Sequence, residues 1–537
     1  MVTDLEMKTL IIGSSPCAVN IAKELLESGN GIIIALNRNG DSSAINEFRA
    51  AGIDPAYIMT DTKILSCRGC VGDFTVAMSS GEKNVSIKIS DIVIAEEYEK
   101  RPNFSVYGLK PAPNILPLSF LADYAIPLND AVKQLPQGGK IVFLTGLGYE
   151  SNPVTAEEIM LASLKLQTDF NLQTYILTGN LKVAGNGLEK LYRETKTAGT
   201  VYFKFTDTSP RILQDDEGKV AIELKDEITR LNFRITPALT VVDETISPSG
   251  YLKELAAVFG LHTGADGFLQ SGNLHRTGIY TNRKGIFVAG PSRSVLNAAD
   301  NVTDSANAAI LTSDTGFAVK KEPKPTAEIR SGSCVRCLTC YRCCPYRAID
   351  LDIRPSVMPD ACEGCGICFA ECPRGAISLN FPDKRNVADE IRQDADIAKS
   401  YPHITAFCCG RSAGRAKELA ACMGYSLPAN LKIVEVPCSG YISIEYILSA
   451  FQNKADGVLV LTCHAGNCHS EDGNIFARRR VEQLKESFSH MNFEKERLEI
   501  KTLASNMGYE FAQIIYDFEN RLKALGSGNL QKQKVQK

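Results

Sequence analysis

Short apolar runs alternate with amphipathic stretches along most of the chain, and glycine-rich turns separate them. Lys8 to Ile12 has the continuous apolar pattern of a buried strand, a helical pattern runs from Val19 to Glu27, and Gly31 to Leu36 is the next apolar run. Strand, turn, helix and strand in this order predict a βαβ unit with a parallel sheet. The turn between the first strand and its helix reads GSSPCA.

A second α/β unit follows, and the chain then returns to the first. The second unit opens with KIVFLTGLG, in which Gly146 and Gly148 precede a helix that Thr155 and Glu158 are predicted to cap. Further strands are predicted at 174–177, 201–205 and 220–224. Gly285 to Gly290 (GIFVAG) is again a buried-strand pattern with a helical pattern of small residues behind it. The second unit is therefore predicted to be a domain inserted into the first.

The segment from His403 to Gly526 has an α/β pattern of its own. Its apolar runs predict strands at 404–407, 432–436, 457–461 and 498–502, with helical patterns between them. This alternation predicts a separate parallel α/β domain. In such a sheet the carboxyl ends of neighbouring strands share one edge, which is where ligands bind.

An internal cysteine repeat lies between these two α/β regions. Each half has the spacing C-x2-C-x2-C-x3-C-P, and the two halves superpose in one register. This spacing is that of a module with two 4Fe–4S clusters, in which the fourth cysteine of each half reaches the other cluster. The predicted ligand sets are Cys334, Cys337, Cys340 and Cys372 for one cluster, and Cys362, Cys365, Cys368 and Cys344 for the other. Cys343 is left over and is predicted to be a packed thiol.

Other uses of these cysteines fit the spacing less well than clusters do. A structural zinc site uses paired C-x2-C knuckles and has no need for the third cysteine or the proline. Disulfides are not expected in a chain without a secretory signal. The lone pair Cys67 and Cys70 has no second pair nearby and is not expected to bind metal. The repeat resembles a two-cluster bacterial ferredoxin module.

Cysteines also follow the predicted strands of the C-terminal domain. Cys408 and Cys409 end its first strand, Cys438 follows the second, and Cys463 follows the third with Cys468 on the same loop. Four thiols at one sheet edge are what a 2Fe–2S cluster requires, although buried structural thiols would give the same pattern.

The C-terminal segment resembles the delta subunit of methyl-viologen-reducing hydrogenase, through AFCCG, VPCSG, ADGVLVLTCHAGNCH and RRRVEQLK. The resemblance implies a 2Fe–2S cluster, for which the expected ligands are Cys409, Cys438, Cys463 and Cys468, with Cys408 as the substitute. The family usually has a cysteine where this chain has Ser412, which is expected to be a bystander. His464 and His469 are expected to support the ligands rather than to bind iron.

The first turn departs from the dinucleotide fingerprint. That fingerprint is G-x-G-x-x-G/A with an acid at the end of the second strand, whereas this chain has Gly13, Ser15 and Ala18, and its second strand ends in Asn37. A degenerate βαβ unit retained for its fold explains the same residues. The strand after the second glycine turn ends in Thr178 without an acid, which disfavours a free-standing NAD(P)H oxidoreductase.

The order of these units resembles two subunits of redox complexes, namely the A subunit of heterodisulfide reductase and the B subunit of the quinone-interacting membrane-bound oxidoreductase. KTLIIGSSPCA, GIFVAG, residues 306–310 and the ferredoxin repeat carry the resemblance. It implies FAD, bound at Gly13, Ser15, Ala18, Asn37 and Gly290. The family's extra cluster cysteines are missing from Val154 to Gln167, so its additional 4Fe–4S cluster is expected to be absent here.

The predicted fold class is α/β, with a two-dinucleotide-domain flavoprotein-like body, a small α+β ferredoxin module and a C-terminal parallel α/β domain. The predicted boundaries are 1–125 and 241–318 for the FAD-type domain, 126–240 for the inserted domain, 334–380 for the ferredoxin module and 403–526 for the C-terminal domain. Linkers are predicted at 319–333 and 381–402, and a disordered tail at 527–537.

Composition narrows the function further. The 59 basic and 62 acidic residues give a net charge of −3, which suggests neither nucleic acid nor an anionic membrane as partner. No uninterrupted apolar run is long enough to predict direct membrane insertion. The 18 cysteines without an export signal predict a reducing cytosol, with membrane association only through partners.

These features predict an electron-transfer component of a multi-subunit oxidoreductase, and no catalytic residue stands out. Electrons are expected to pass between the 2Fe–2S domain, the two cubanes and FAD. The resemblance implies partners such as heterodisulfide-reductase-like B and C subunits, a hydrogenase or formate dehydrogenase, or a quinone-linked membrane subunit. The alternative is a flavin-free iron–sulfur wire on a degenerate α/β body.

Overall fold

The computed structural model describes residues 8–37, 42–81, 83–122, 132, 135–206, 208–270, 272–276, 278–314, 323–393 and 401–526. The predicted tail at 527–537 and parts of both predicted linkers lie outside these ranges. The strands are, in chain order, β1 Lys8–Ile12, β2 Gly31–Ala35, β3 Ile58–Met59, β4 Thr62–Cys70, β5 Asp73–Ser80, β6 Lys83–Ile89, β7 Asp91–Ile94, β8 Glu99–Pro102, β9 Ile115–Pro117, β10 Lys140–Thr145, β11 Gln173–Thr178, β12 Val201–Lys204, β13 Arg211–Gln214, β14 Val220–Lys225, β15 Asn232–Ile235, β16 Leu239–Val242, β17 Glu244–Ser247, β18 Ile286–Val288, β19 Thr326–Ile329, β20 Ile349–Leu351, β21 Pro355–Val357, β22 Ile377–Asn380, β23 Ile404–Cys409, β24 Leu431–Val436, β25 Gly457–Thr462 and β26 Leu498–Thr502.

The α-helices range from four to eighteen residues in length. They are α1 Pro16–Glu27, α2 Ser42–Ala50, α3 Ser119–Ala122, α4 Pro153–Phe170, α5 Leu188–Ala198, α6 Gly250–Phe259, α7 Ala298–Asp314, α8 Thr339–Cys343, α9 Ile367–Ala370, α10 Val387–Arg392, α11 Ala413–Cys422, α12 Ile444–Gln452, α13 Gly473–His490 and α14 Gly508–Leu525. Among the described helices none combines the length and the apolar character needed to cross a membrane.

The first domain is a parallel sheet in the order β18-β7-β1-β2-β3, with the antiparallel meander β4-β5-β6 beside it. Because β1 has β2 on one side and β7 on the other, the strand order reverses at β1. Ligands of open α/β sheets bind at such a reversal, beyond the carboxyl ends of the strands. The GIFVAG pattern predicts a strand that returns to this domain, and in the structure that strand, β18, pairs with β7.

The inserted domain repeats this plan, with a parallel sheet β12-β11-β10-β16-β9 and the meander β13-β14-β15. It takes its edge strand from 115–117, ahead of the predicted boundary at 126, because β9 pairs with β16. The antiparallel ribbon of β8 and β17 joins it to the first domain. Helix α4 begins earlier than predicted: the side chain of Asn152 accepts from the amide of Thr155, so Thr155 lies inside the helix.

The ferredoxin module consists of two short helices and two antiparallel strand pairs. Strand β19 pairs with β22, so residues predicted as linker belong to the module. The physical reason is that β22 would otherwise be a lone strand with unpaired backbone groups. The C-terminal domain is the predicted four-stranded parallel sheet, and its strand order is β24-β23-β25-β26.

The ferredoxin module and the C-terminal domain share one hydrophobic core. Buried side chains of the module, such as Ile367 and Leu379, belong to the same cluster as Phe407, Val460 and Phe488 of the C-terminal domain. The predicted α/β class with a ferredoxin module is therefore confirmed, and two of its parts are packed together as one unit.

Candidate functional site

The eight cysteines of the repeat line two separate cavities in the ferredoxin module. The first cavity is lined by Cys334, Cys337, Cys340 and Cys372, with apolar neighbours that include Ile329. Its free volume is small, about 20 Å³. Three of its cysteines come from the first half of the repeat, and Cys372 comes from the second half.

The second cavity mirrors the first. It is lined by Cys362, Cys365, Cys368 and Cys344, and its free volume is also about 20 Å³. The fourth cysteine of each half is held in the same way, because the amide of Ala348 donates to Cys344 Sγ at 3.4 Å and that of Ala376 donates to Cys372 Sγ at 3.3 Å. The structure thus brings together the two sets that the spacing predicts.

Burial controls the protonation of these thiols. It raises the pKa of Cys365 and of Cys368 well above the ordinary thiol value, and nearby Cys344 raises both further. The pKa of Cys337, which is exposed, is lowered by a hydrogen bond from the side chain of Thr339. Because metal ligands must be thiolates, loading the second cavity must release protons.

The C-terminal cysteines converge as two pairs. Cys409 and Cys463 have their sulfurs 3.6 Å apart, and those of Cys438 and Cys468 are 4.0 Å apart. Two thiolates on one tetrahedral metal, with bonds of about 2.3 Å, stand about 3.8 Å apart. Each pair therefore has the spacing of two ligands on one iron. All four residues are buried.

Cys408 lies on the opposite face of β23 from Cys409, because successive strand residues alternate. Its thiol belongs to a different core, where burial raises its pKa to about 12. Cys408 is thus not placed to substitute for a ligand.

Ser412 is at the N-terminus of α11 but makes no capping hydrogen bond. Its hydroxyl is buried, lies beside the thiols of Cys409 and Cys463, and completes no hydrogen bond. The hydroxyl of Ser439, which follows Cys438, is likewise buried and without a hydrogen bond. Buried hydroxyls are normally satisfied. The unsatisfied hydroxyl of Ser412, beside these thiols, is what a group carrying acceptor sulfur would use.

The two predicted supporting histidines lie on either side of the Cys468 loop. His464 Nε2 is 3.4 Å from Met507 Sδ, and the backbone oxygen of His464 accepts from Asn474. The ring of His469 stacks edge-on against His275 at 5.2 Å, and burial lowers its pKa to about 4. The backbone oxygen of His469 accepts from the hydroxyl of Tyr346, which itself lines the second ferredoxin cavity.

A loop of the first domain holds the Cys468 loop from the other side. Asn273 Nδ2 donates to the backbone oxygen of Cys468 at 2.7 Å. Arg276 Nε donates at 2.7 Å to Glu471, which is buried and whose pKa stays below its ordinary value because His262 and Arg276 outweigh its burial. Neither Tyr346 nor Glu471 carries a signal in the sequence, since each acts through a contact between modules.

A crevice lies at the strand reversal, and of the five predicted dinucleotide residues Asn37 lines it, whereas Gly13, Ser15, Ala18 and Gly290 do not. Ser14 follows β1, Leu36 and Asn37 follow β2, and Ala44 and Ile45 of α2 form an apolar wall. The cavity measures about 130 Å³, whereas ligand pockets are usually about 300–1,000 Å³. It has room for part of a dinucleotide.

The fingerprint residues are engaged by the protein itself. Ser15 donates to the backbone oxygen of Ala95 at 2.7 Å and accepts from the amide of Ala18 at 3.3 Å, so its hydroxyl is turned away from the crevice. A Cβ on Gly13, at φ +128°, would lie well inside 3.0 Å of Ala95. The amide of Gly290 donates to Asp304 at 3.0 Å.

Two carboxylates that the sequence pattern did not single out line the same crevice. Glu96 and Glu97 follow directly after β7, and the rule that ligands meet the carboxyl ends of strands could have found them. Burial raises the pKa of Glu97 to about 7. The residues fit the adenosine half of a dinucleotide, with an apolar wall for the base and Asn37 and Glu97 for ribose hydroxyls. Among the described residues that line the crevice, none offers a basic side chain to a diphosphate.

The remaining cysteines of these regions are accounted for by packing. Cys343 donates from Sγ to the backbone oxygen of Cys340 at 3.6 Å, and burial raises its pKa to about 12. Cys67 and Cys70 lie on β4, where burial raises the pKa of Cys67. Within the described ranges, no three His, Cys, Asp or Glu side chains converge tightly enough to hold a single metal ion.

The fold and the cysteine sets define an iron–sulfur protein built on a frame of two dinucleotide-type domains. Residues 404–526 match the family model described as methyl-viologen-reducing hydrogenase, delta subunit, and residues 355–378 match that of the 4Fe–4S binding domain. Through its C-terminal domain the chain belongs to the hydrogenase delta-subunit family, and it is also homologous to the A subunit of heterodisulfide reductase. The resemblances to the hydrogenase delta subunit and to the A subunit of heterodisulfide reductase are thereby confirmed.

Individual relatives cover different parts of the chain. The iron-sulfur D subunit of the F420-non-reducing hydrogenase of Archaeoglobus profundus is 35% identical over 125 residues, which are 23% of this chain and 91% of that protein. The A subunit of the ferredoxin:CoB-CoM heterodisulfide reductase of Methanosarcina mazei is 23% identical over 349 residues. That match covers 65% of this chain and spans only 44% of the relative. Among solved structures, T. acidophilum thioredoxin reductase aligns with 58% of this chain and 99% of its own, at 15% identity and a TM-score of 0.38.

Proposed function

We propose that this chain is the electron-transfer component of a heterodisulfide-reductase-like oxidoreductase complex, with three iron–sulfur clusters. The observation that carries the proposal is the grouping of twelve cysteines into three sets of four, two in the ferredoxin module and one in the C-terminal domain. Iron–sulfur clusters exchange single electrons at potentials that the surrounding protein sets. The homology to a heterodisulfide reductase protein supports the same function.

In the ferredoxin module, we assign one 4Fe–4S cluster to each cavity. Each cavity offers four thiols around an enclosed space, and the amides of Ala348 and Ala376 donate to a sulfur of each set. Hydrogen bonds of this kind stabilise the negative charge that thiolates carry when they bind iron. Zinc is the poorer fit because its paired C-x2-C knuckles need neither the third cysteine of each half nor the proline that follows the fourth.

In the C-terminal domain, we assign a 2Fe–2S cluster to Cys409, Cys438, Cys463 and Cys468. The paired sulfurs would place Cys409 with Cys463 on one iron and Cys438 with Cys468 on the other. The unsatisfied hydroxyl of Ser412 supports an acceptor sulfur at this position. Ser412 would then be a hydrogen-bond donor to the cluster rather than a bystander.

FAD is proposed as the fourth group, with its adenosine half in the crevice beside Asn37 and Glu97. A flavin exchanges one or two electrons and would allow electrons to enter singly and leave as pairs. Ser15 leaves the turn open because its hydroxyl points to Ala95. Gly13 and Gly290 would act indirectly, by letting the turn and β18 approach their neighbours closely.

A flavin-free electron wire is the second candidate. It is favoured by the two carboxylates that line the crevice, since Glu96 and Glu97 oppose the binding of an anionic diphosphate. In that case the two α/β domains serve only as a scaffold for the clusters and for partner subunits.

The proposed partners follow from the relatives. One relative belongs to a hydrogenase and another to a heterodisulfide reductase, so a complex of this type is proposed here. The finer possibilities are heterodisulfide-reductase-like B and C subunits, a formate dehydrogenase or a quinone-linked membrane protein. Membrane association would come only through such a partner.

Anaerobic purification of the full chain, followed by counts of iron, sulfide and flavin, tests these assignments. About ten irons per chain are expected from two 4Fe–4S clusters and one 2Fe–2S cluster. Flavin retained, or taken up on incubation with FAD, supports the first candidate, and its absence with full iron content supports the second. A chain that folds but binds no iron contradicts both.

A further inference from the structure

Three glycines lie where the ferredoxin module meets the C-terminal cysteine set. A Cβ on Gly366, at φ +74°, would lie well inside 3.0 Å of the Tyr441 ring. A Cβ on Gly440 would lie 2.5 Å from Ile367 Cγ1 and 3.0 Å from Gly473 Cα. A Cβ on Gly473 would run into Cys438 Sγ. At each of these positions a methyl group would push the backbone apart.

The contact joins one cavity to one cysteine set. Ile367 is fully buried and lines the second ferredoxin cavity together with Gly366. Gly440 is two residues beyond Cys438 and donates its amide to that sulfur at 3.4 Å. The loop of the second cavity therefore meets the loop of Cys438 through Ile367 and glycine backbone.

Charged and aromatic side chains stabilise the contact between these two loops. Glu371 is paired with both Arg479 and Arg480, and Arg480 also donates to the backbone oxygen of Gly440 at 2.8 Å. The rings of Phe369 and Tyr441 lie 4.6 Å apart. An ion pair that is buried and also bonded to backbone fixes geometry more than an exposed pair does.

We infer that Gly366, Gly440 and Gly473 form a glycine seam that sets the distance between the second ferredoxin cluster and the 2Fe–2S cluster. They are positioning residues, because none of them is a ligand. The inference rests on the proposed function. A single electron passing between the two clusters would oxidise one and reduce the other, with no bond made or broken. The rate of such a transfer falls steeply with distance, so a seam without side chains favours it.

The first test asks which cubane neighbours the 2Fe–2S cluster. In the reduced full chain, a fast-relaxing cubane close by raises the microwave power needed to half-saturate the 2Fe–2S electron paramagnetic resonance signal. The double variant Cys362→Ser with Cys365→Ser should lose one cubane's iron and lose this effect. The matched variant Cys334→Ser with Cys337→Ser should lose the other cubane. Its 2Fe–2S signal should still need the raised microwave power for half-saturation. The opposite result, or equal losses, would overturn the inference.

The second test addresses the glycines themselves. Gly440→Ala and Gly366→Ala should keep full iron and sulfide counts and lower the half-saturation power severalfold. Gly375→Ala is the control, because Gly375 is in the same module at φ +55° but faces open space, so it has the backbone strain without the clash. Combining Gly440→Ala with Ile367→Ala should bring the half-saturation power of the 2Fe–2S signal back towards the wild-type value. Unchanged saturation in both seam variants, or an equal change in the control, would contradict the role of the seam.

The two tests separate failure of the inference from failure of the proposed function. If a seam variant loses its clusters, the cysteine variants still decide which cubane is the neighbour. If the wild-type chain binds no iron, the proposed function itself is wrong.

Discussion

The cysteine sets and the dinucleotide crevice differ in whether their polar groups are satisfied by the protein alone. At the C-terminal set, the hydroxyls of Ser412 and Ser439 are buried without a hydrogen bond. At the crevice, Ser15 bonds with Ala95 and Ala18, and the amide of Gly290 bonds with Asp304. Buried polar groups that lack partners cost about 1–3 kcal/mol each. The hydroxyl of Ser412 is therefore available to a bound group, whereas Ser15 and Gly290 already bond within the protein, although the buried amide oxygen of Asn301 near Gly290 also lacks a hydrogen bond.

This difference explains why the two kinds of site need different evidence. A cysteine set of the right spacing has few other uses, so its geometry points directly to a cluster. The fingerprint of a βαβ turn has structural uses of its own, because the same glycine and serine also close the turn against β7. Substitutions on each side of this comparison should therefore differ in the size of their effects.

Replacing Cys344 should have the largest effect. Cys344→Ser should remove the cluster held with Cys362, Cys365 and Cys368 and leave the other cubane intact, because Cys344 lines the second cavity. Iron and sulfide counts with electron paramagnetic resonance of each cluster check this. Cys343→Ser is the matched control, since its thiol is adjacent but bonds to Cys340, and it should leave both cubanes in place. Loss of the cluster nearer in sequence would refute the crossed assignment.

Replacing Cys463 should remove the 2Fe–2S cluster alone. Cys463→Ala leaves Cys409 without the partner 3.6 Å away with which it would share an iron. Cys408→Ala should leave that cluster in place, because Cys408 belongs to the core on the opposite face of β23. The 2Fe–2S spectrum measured above the temperatures at which cubane signals broaden provides the readout. Equal damage from both substitutions would show that the strand faces are assigned wrongly.

The crevice should make the stability of the first domain depend on pH. Burial raises the pKa of Glu97 from its ordinary 4.5 to about 7, with Lys100 lowering it and Glu96 and Glu158 raising it. Between these values the unfolded chain has lost the proton and the folded chain retains it, so the free energy of unfolding falls as pH rises through this window. Above a pH of about 7, the free energy of unfolding that Glu97 contributes has been lost completely.

Glu97→Gln should remove that part of the pH dependence. The measurement is thermal unfolding of the full chain at about pH 5 and at about pH 8. Between these two pH values, the first transition temperature should fall less in the variant than in the wild type. Glu27→Gln, at an exposed helix position, is the control. A wild-type transition that does not move between these pH values would show that Glu97 ionises freely.

Ser412 should give the smallest effect. Ser412→Ala should keep the 2Fe–2S cluster, as the sequence predicts, and shift its midpoint potential by about 20–60 mV to more negative values. That range corresponds to the loss of one hydrogen bond of about 0.5–1.5 kcal/mol to a cluster sulfur in a one-electron couple. Potentiometric titration checks the shift, with the exposed Ser489→Ala as control. An unchanged potential would restore the bystander interpretation.

The sequence was most informative where chemistry requires a fixed spacing. The cysteine repeat predicted which thiols line each cavity, and apolar runs predicted the parallel strands. It was less informative about edges and contacts. Strands β9 and β19 were missed because short edge strands with proline nearby resemble linkers. Glu96, Glu97 and Tyr346 acquire their roles only from residues brought to them by the fold.

The crossed lining of the two cavities has a consequence for how the chain matures. The first cavity lacks a wall until Cys372 is present, and the second needs Cys344 from the opposite half. Synthesis must therefore reach Cys368 before the second set is complete, and Cys372 before the first set is complete. If the proposed cubanes bind here, neither could be fully ligated until nearly the whole repeat has been made.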